Sequence, residues 1–577
     1  MIKNNKDVVF CIILFVLSVW IYSQGLNIHG LEYRDDEIFY FKSTQEMLAT
    51  SNYFSPTYFG EDRFQKPILF YWFILTAYQL FGVDWFAARI VSVVFAGLTV
   101  AVTWLLAKRL FNQKVAWLSA FILMNTPLFF RHAKNAVPDM ALNFFVVWAF
   151  YFLFLYIENP KARRNQAGLF VACALGFMVK GFAALLFPLG TLLIYALLSK
   201  RYDLLKQMRW GWGFSIFTLI VAPWFVWMVV IHGDKYVDYM LVEETKNRLV
   251  SAKGKNTFLV KLASVAKHVL FYMKVLFSKF LPWSVFLVAA LPAAFLKMRR
   301  YPQERKVFQL LLIWFFFVVV FFSCMYFTIS HYLLVLSTPF AVLVSYFLLE
   351  SFNAKKIAGK TIIFLRENSI VLFLVLSALA YCFLWVFLAK QNPWWGILFI
   401  FILMASVYAI KTTKDLIVAP MILCVFMLFL NSQSVFMAKI GLTPHSILQR
   451  FAQTVQKDPT EKVLLVGSHG LHEKEFQVYF KEQVYKVPND NYGQVHQMLE
   501  EFFAKDEKVY CLIKDVDFQK HFADAQDQFD IVQEEYSVRR RMRIDKGFFA
   551  ALFKVDQDKV YDYFMEKILL ITKENNG

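Results

Sequence analysis

Long apolar runs recur along this chain, and short polar stretches separate them. The runs lie near 8–24, 67–82, 85–107, 115–131, 140–157, 168–180, 182–199, 211–232, 268–296, 307–328, 332–350, 369–390, 394–411 and 415–437. A helix that crosses a bilayer needs about twenty apolar residues. The pattern therefore predicts a multi-spanning membrane protein, followed by a tail of different character from about residue 442.

Basic residues cluster in the loops between the apolar runs. The clusters lie at 108–114, 161–164, 200–209, 297–306, 355–360 and 411–414, and the net charge is +18. Cytoplasmic loops are enriched in Lys and Arg. If segment 67–82 lies in the interface or re-enters instead of crossing, every one of these loops faces the cytoplasm. This assignment predicts about thirteen spans and an external tail, and it explains the basic charge without a nucleic-acid partner.

The tail alternates predicted strands with predicted helices. Strands are expected at 462–467, 482–487, 509–513, 531–535 and 548–555, and helices at 492–503 and 560–571. Alternation of this kind is typical of an α/β domain. We therefore expect a transmembrane domain at 1–441, with a first external loop at 25–66, and a small external α/β domain at 442–577.

An acidic cluster follows the first span. Asp35, Asp36 and Glu37 stand beside a predicted interfacial helix at 37–49. One acid would suffice to cap the helix. Three acids beside an apolar run also suit a general base at the membrane surface. Both interpretations remain open from these residues alone.

Three cations on the external side are candidates for binding an anion. Arg63 and Lys66 could be snorkelling cations at the interface or contacts to a phosphate. Lys180 stands at the outer end of a short span, against the usual charge bias. A cation in such a position suggests a function.

Two further external residues have both structural and functional interpretations. Asp139 follows Pro138 at the start of a span, where an acid can be an N-cap or part of a site. His331 stands in a tight turn between two spans, where it could be structural or could contact a ligand. The chain holds no P-loop and no G-x-S-x-G or H-E-x-x-H motif, so ATP-driven transport and hydrolysis have no support.

Taken in order, several motifs resemble a known family. They are Asp36-Glu37, Lys66-Pro67 with Tyr71-Trp72, Phe81 to Arg89, Asp139-Met140, Lys180-Gly181, Phe280 to Trp283, and His331-Tyr332. This order is similar to that of the bacterial membrane glycosyltransferases related to the protein O-mannosyltransferases. The closest resemblance is to the lipid A aminoarabinose transferases, and it covers most of residues 1–350.

The resemblance implies a C-type glycosyltransferase fold (GT-C) with about thirteen transmembrane helices and a small extracytoplasmic α/β domain. It implies transfer of a sugar from an undecaprenyl-phosphate donor to an acceptor at the periplasmic face of the bacterial inner membrane. The expected acceptor is lipid A, lipopolysaccharide or a related envelope glycan. Protein hydroxyls are the alternative acceptor, and a lipid or sugar transporter is the less favoured alternative function.

The resemblance also implies roles for single residues. Asp36 would be the catalytic carboxylate, supported by Glu37, and Asp139 a second acidic residue at the acceptor site. The expected contacts to the donor phosphate are Lys66, Lys180 and Arg248. The residues expected to line the substrate site are Tyr40, Tyr71, His331 and Tyr332.

Two positions depart from the family pattern. Relatives usually carry Glu before the lysine of the Lys-Pro motif, where it can join a metal site, and this chain has Gln65. An amide is a poor metal ligand, so no cofactor is predicted with certainty and zinc is in doubt. Phe39 replaces an arginine common three residues after the catalytic Asp.

Overall fold

The computed structural model describes residues 5–27, 36–240, 258–325, 328–350, 357–383, 394–412, 417–432, 450–452, 454–455, 462–466, 484–487, 509–521, 529–538, 548 and 557–573. The chain divides into two compact units. The first unit comprises Met1–Leu26, Tyr40–Leu374 and Ser406–Asn431, and the second comprises Asn27–Phe39, Val375–Ala405 and Ser432–Gly577. Each is described by itself.

Helices dominate the first unit. The first twelve are α1 (Asn5–Ser23), α2 (Asp36–Thr50, whose first turn belongs to the second unit), α3 (Leu69–Phe81), α4 (Trp85–Leu110), α5 (Gln113–Asn125), α6 (Pro127–Ala133), α7 (Asp139–Glu158), α8 (Arg163–Lys180), α9 (Ala183–Leu198), α10 (Tyr202–Gln207), α11 (Trp210–His232) and α12 (Asp234–Asp238). Later helices are Phe258–Lys279, Ser284–Arg300, Pro302–Ser323, a 3₁₀ helix Ser330–Leu336, Ser337–Glu350, Ile357–Phe383, Trp394–Thr412 and Val418–Ser432. The residues of Ile357–Phe383 and Trp394–Thr412 that fall within Val375–Ala405 belong to the second unit.

Six helices of the described part are long and apolar enough to cross a membrane. They are Asn5–Ser23, Trp85–Leu110, Asp139–Glu158, Trp210–His232, Pro302–Ser323 and Ser330–Leu349. A seventh results if Ser264–Lys279 and Ser284–Arg300, bent by 117°, form one span. A multi-pass membrane protein is thereby confirmed, whereas the count of thirteen stays a prediction. Helix α3 has 13 residues. At ~1.5 Å per residue it is shorter than the ~30 Å hydrocarbon core of a bilayer.

The core of the first unit is built around α4 and α7. Helix α4 packs against α1, α5 and α7, and α7 packs in turn against α8 and α9. Aromatic side chains meet between α4 and α7, where Phe95 lies 5.6 Å from both Phe144 and Phe145 between ring centroids, and between α7 and helix Pro302–Ser323. Phe150 of α7 stacks on Trp314 with ring centroids 3.6 Å apart, and both side chains are buried.

A short hairpin follows α2 in the loop that leads to α3. Strand β1 (Thr57–Tyr58) pairs antiparallel with β2 (Glu61–Asp62). Two indole groups fix the segment that precedes it. Trp72 Nε1 of α3 donates to the Tyr53 carbonyl at 2.7 Å, and Trp224 Nε1 of α11 donates to the Phe54 carbonyl at 2.9 Å. The hairpin is therefore anchored at two separate helices.

The described part of the second unit contains a mixed five-stranded sheet in the order β4-β3-β5-β7-β6. The strands are β3 (Lys462–Val466), β4 (Val484–Val487), β5 (Val509–Lys514), β6 (Phe529–Val538) and β7 (Met565–Lys573). Strands β3, β4 and β5 are parallel, and β7 pairs antiparallel with β5 and β6. The predicted strands at 462–467, 482–487, 509–513 and 531–535 agree with four of them.

The predicted helix at 560–571 is wrong in its second half. Helix Gln557–Phe564 ends where β7 begins. The apolar run Ile568–Ile571 lies between two partner strands and is almost fully buried. A continuous apolar run fits a strand buried on both faces as well as a helix, and pairing with β5 and β6 decides between them. The predicted helix at 492–503 lies outside the described residues, as does the predicted strand at 548–555 except Phe548, which is helical.

Candidate active site

Helix α7 begins with Asp139, directly after Pro138. Proline is well suited to a helix start because its fixed φ matches the helix and its missing N–H removes no bond. No side chain caps this helix end. The interpretation of Asp139 as an N-cap is therefore wrong, and its carboxylate is directed to other partners.

Helix α8 ends at Lys180 because Gly181 follows it. Gly181 has φ of 93°, and its N–H donates to the Phe177 carbonyl at 2.7 Å. A positive φ of this size favours glycine, because any side chain would be strained there. One turn earlier, a Cβ at Gly176 would lie 2.5 Å from Cβ of Ala184 in α9 and 3.0 Å from Cβ of Phe145 in α7. The glycine thus allows α8 to approach both helices closely, and its approach to α7 brings Lys180 to the start of that helix.

The ends of the two helices form a buried ion pair. Lys180 Nζ donates to Asp139 Oδ1 at 2.6 Å, and the two side chains are 16% and 9% exposed. His331 Nε2 lies 3.7 Å from the same oxygen. The ring of Tyr332 lies 5.9 Å from Lys180 Nζ, within the range of a cation–π contact. We call these four residues, together with His132, the Asp139 cluster.

His132 adds a neutral group to the Asp139 cluster. Its ring centroid lies 5.5 Å from that of His331. Its Nδ1 is buried and has no hydrogen-bond partner within the described ranges. Burial lowers the pKa of His132 from 6.5 to about 3, against the opposing effect of Asp139. His132 therefore stays uncharged at neutral pH.

A second group of predicted residues meets at the start of α3. Arg63 Nε donates to the Tyr71 hydroxyl at 2.9 Å. The Tyr40 ring lies 5.8 Å from Arg63 Cζ and 5.0 Å from the Tyr71 ring. Tyr71 is fully buried and Tyr40 is 4% exposed. We call these three residues the Tyr71 cluster, in which the two tyrosines hold an arginine.

Lys66 lies in the loop between the hairpin and α3. Its Nζ donates to the Gln65 carbonyl at 2.9 Å. The Gln65 side-chain oxygen is buried and has no hydrogen-bond partner within the described part of the chain. That neutral amide does not fit the zinc ligand that the family pattern would place there. Within the same part of the chain, no group of three or more His, Cys, Asp and Glu residues could hold a metal, and we derive no step through one.

The acidic cluster is described only in part. Helix α2 begins at Asp36 and includes the predicted helix at 37–49. Asp36 is exposed and Glu37 is 2% exposed. Asp35 and Arg248 lie outside the described residues.

Sequence reasoning missed three features of these clusters. No pattern singled out His132 or the close approach at Gly176, and Arg63 was left open between a snorkelling cation and a phosphate contact, without its bond to Tyr71. A signal existed for Arg63, since Tyr71 follows it by eight residues in the same loop and helix. No local pattern indicated His132, whose contact with His331 joins distant segments.

A family model supports the resemblance that the motifs suggest. The model described as dolichyl-phosphate-mannose-protein mannosyltransferase matches residues 65–227. This range includes Lys66, Asp139 and Lys180. The match therefore covers both ends of the buried ion pair and the lysine of the Lys-Pro motif.

Curated relatives match over somewhat more than half of their length. One is undecaprenyl phosphate-alpha-4-amino-4-deoxy-L-arabinose arabinosyl transferase 1 from Pseudomonas fluorescens strain Pf0-1, 31% identical over 57% of this chain and 56% of the relative. Another is an uncharacterized protein from Aquifex aeolicus, 27% identical over 63% of this chain and 68% of the relative.

A solved structure agrees over almost the whole chain. ArnT from Cupriavidus metallidurans, crystallised bound to undecaprenyl phosphate, has a TM-score of 0.63 and 16% identity, with 97% of both chains covered. At this identity the likeness concerns the fold alone. It confirms the predicted C-type glycosyltransferase fold.

Proposed function

We propose that this chain, which is similar to the protein O-mannosyltransferase model over residues 65–227 and to the aminoarabinose transferases, is a polyprenyl-phosphate-dependent glycosyltransferase of that membrane family. The donor is an undecaprenyl-phosphate-linked sugar, and the acceptor is lipid A or a related envelope glycan. The observation that carries the proposal is the convergence of Asp139, Lys180 and His331, from three separate segments, into one buried cluster.

The chemistry follows from the charges of the two reactants. An acceptor oxygen attacks the anomeric carbon, and the bond from that carbon to the phosphate oxygen of the carrier breaks. Polyprenyl phosphate then leaves with one more negative charge than it had in the donor. Cations placed beside this phosphate stabilise the growing charge in the transition state. We assign this role to Lys66, with Lys180 and Arg248 as further contacts.

Asp36 is the proposed catalytic carboxylate. With a hydroxyl acceptor it accepts the proton that the attacking oxygen loses, and with a phosphate acceptor it orients the nucleophile. Glu37 supports it from the first turn of the same helix. Asp139 is the proposed second acidic residue, at the acceptor site. Its ion pair with Lys180 holds its carboxylate in place.

Four aromatic or imidazole side chains complete the proposed substrate site. They are Tyr40, Tyr71, His331 and Tyr332. Tyr71 is fully buried, so its role is to support Arg63 and Tyr40, whereas Tyr332 offers a ring beside Lys180. Aromatic faces suit both sugars and the first isoprene units of a lipid carrier.

The proposed location is the bacterial inner membrane, with about thirteen spans and the active site on the periplasmic side. We propose the transmembrane domain at 1–441 and a periplasmic α/β domain at 442–577. Reporter fusions at Thr413 and Gly577 test this topology. Signals from opposite sides of the membrane are expected, and signals from the same side would contradict it.

The function is tested by lipid A mass spectrometry of a deletion strain complemented with variants. Asp36→Asn is expected to reduce sugar-modified lipid by ~10²–10⁴-fold, the usual contribution of a positioned base, and Lys66→Ala to reduce it strongly. Glu61→Gln is the matched control, because it removes an exposed acid from the same external loop. All three variants are checked for membrane insertion.

The same experiment also distinguishes lipid A from protein hydroxyls as the acceptor. Undiminished modification in Asp36→Asn would refute its catalytic role. Unchanged lipid A together with lost protein glycans in the deletion strain would identify protein hydroxyls as the acceptor.

A further inference from the structure

Arg63 occupies a fixed position at the end of the external hairpin. Its backbone N–H donates to the Pro56 carbonyl at 2.9 Å, which extends the pairing of β1 and β2 by one bond. Its side chain donates from Nε to the Tyr71 hydroxyl at 2.9 Å. The residue is 8% exposed. Backbone and guanidinium are thus held by separate partners.

The Tyr71 cluster fixes the plane of the guanidinium. Tyr40 faces Arg63 Cζ at 5.8 Å from its ring centroid, and its ring packs against Tyr71 at 5.0 Å and Phe70 at 5.2 Å. All three rings are buried. A guanidinium held by a hydroxyl at Nε and by a ring at its face has lost its rotational freedom before any ligand arrives.

The segment that carries Arg63 is itself tied down. Asp62, the preceding residue, accepts from Lys235 Nζ at 2.6 Å. Ser55 contacts His232 Nε2 at 2.6 Å. These bonds attach both sides of the hairpin to the end of α11 and to α12. A side chain on such a segment can hold a group within the narrow tolerance that a reacting phosphate requires.

Resting on the proposed function, we infer that Arg63 is a second cationic contact of the donor phosphate, oriented by Tyr71 and Tyr40. Lys66, the proposed first contact, follows it by three residues in the same loop. A lysine ammonium acts on a phosphate as a point charge, whereas the terminal nitrogens of an arginine form a fork that matches two phosphate oxygens. The two side chains together stabilise a phosphate whose charge grows as the sugar leaves.

A purely structural role for Arg63 gives a different expectation. An arginine that only closes the hairpin onto α3 would affect stability and leave donor affinity unchanged. The two roles are separated by measuring undecaprenyl phosphate binding and the melting temperature on the same purified full-length protein. The variants are Arg63→Gln, Arg63→Lys and Tyr71→Phe, with Arg201→Gln as the control, since Arg201 is an exposed arginine paired with Asp203.

Arg63→Gln is expected to weaken undecaprenyl phosphate binding by about 10-fold or more, as for a lost charge-assisted bond. Arg63→Lys should lose less, because it keeps the charge without the fork. Tyr71→Phe should weaken undecaprenyl phosphate binding by a few-fold, and in a sugar-transfer assay it should raise KM for the donor by a few-fold and leave kcat nearly unchanged. Arg201→Gln should bind as the parent chain does.

Unchanged binding in Arg63→Lys and Tyr71→Phe would overturn the inference, whatever happens to the melting temperature. If Arg63→Gln does not fold, these two milder variants decide. The proposed function fails separately, when the parent chain does not bind undecaprenyl phosphate or when Lys66→Ala binds it equally well. Normal behaviour of the parent chain and of Lys66→Ala, with no effect at Arg63, would refute the Arg63 contact alone.

Discussion

Lys180 Nζ lies 2.6 Å from Asp139 Oδ1, and this ion pair joins the end of α8 to the start of α7. Both side chains are largely buried, and His331 Nε2 lies 3.7 Å from the same carboxylate oxygen. Two opposite charges in such surroundings stabilise each other strongly, because neither is well solvated alone. The pair therefore holds the two helix ends together. A substitution of either residue alone leaves the other charge without its partner.

Removing one partner of this pair leaves an uncompensated buried charge. We expect Lys180→Met or Asp139→Asn to destabilise the protein by about 3–5 kcal/mol. The double variant should be more stable than the sum of the single losses indicates. Thermal unfolding in detergent measures all three. Arg201→Gln is the control, since Arg201 forms an exposed pair with Asp203, and it should leave the melting temperature unchanged. Additive losses in the double variant would contradict strong coupling.

His132 makes stability depend on pH. Burial lowers its pKa from 6.5 to about 3, so between these values the unfolded chain binds a proton that the folded chain does not. This contribution to stability is complete above about pH 6.5 and is lost as pH falls toward 3. The parent chain should therefore melt at a distinctly lower temperature at pH 5 than at pH 7.5. His132→Gln should show a smaller difference in melting temperature between pH 5 and pH 7.5. A difference equal to that of the parent chain would refute the assignment of this pH dependence to His132.

Ser55, His232 and Asp62 resemble a Ser-His-Asp arrangement in outline only. Ser55 Oγ lies 2.6 Å from His232 Nε2, and Asp62 Oδ2 lies 3.6 Å from His232 Nδ1. Ser55 is 4% exposed, however, and is closed to a substrate. We expect Ser55→Ala to cost ~1 kcal/mol of stability through the lost hydrogen bond and to retain sugar transfer. Labelling of Ser55 by a phosphonate probe would instead indicate a reactive serine.

Strand β7 is an interior strand of the sheet in the second unit, next to the edge strand β6. Leu569 and Leu570 are fully buried, and β5 and β6 flank the strand. Leu570→Ala should destabilise this unit by ~2–5 kcal/mol, as for other large-to-small core changes. Hydrogen exchange should then accelerate in all three strands while α4 and α7 stay protected. Loss of protection limited to β7 would show that the sheet does not unfold cooperatively.

The sequence predicted those elements whose signals are local. The helix expected at 37–49 is found at Asp36–Thr50, because apolar periodicity and acidic residues in the first turn mark it. The role of Asp139 was ambiguous because an N-terminal acid looks the same whether it caps its helix or bonds elsewhere. Its partner Lys180 is 41 residues away, and only the close approach of α7 and α8 brings the two together.

Contacts between distant segments also explain the other predictions that were wrong or missing. The run Ile568–Ile571 is compatible with helix and with buried strand, and its neighbours β5 and β6 decide. The contact of Ser55 with His232 joins residues 177 positions apart, which no window of sequence contains. By contrast, Arg63 and Tyr71 lie within one loop and helix, and their contact could have been proposed from spacing.

The two indole bonds at Tyr53 and Phe54 also set an order of assembly. Trp72 follows Tyr53 by 19 residues, whereas Trp224 follows Phe54 by 170. The first bond can form once α3 has been synthesised, whereas the second must wait for α11, which follows much later in the chain. The segment that carries Arg63 and Lys66 therefore matures late, so that a chain interrupted before α11 would carry these residues without the support that holds them in place.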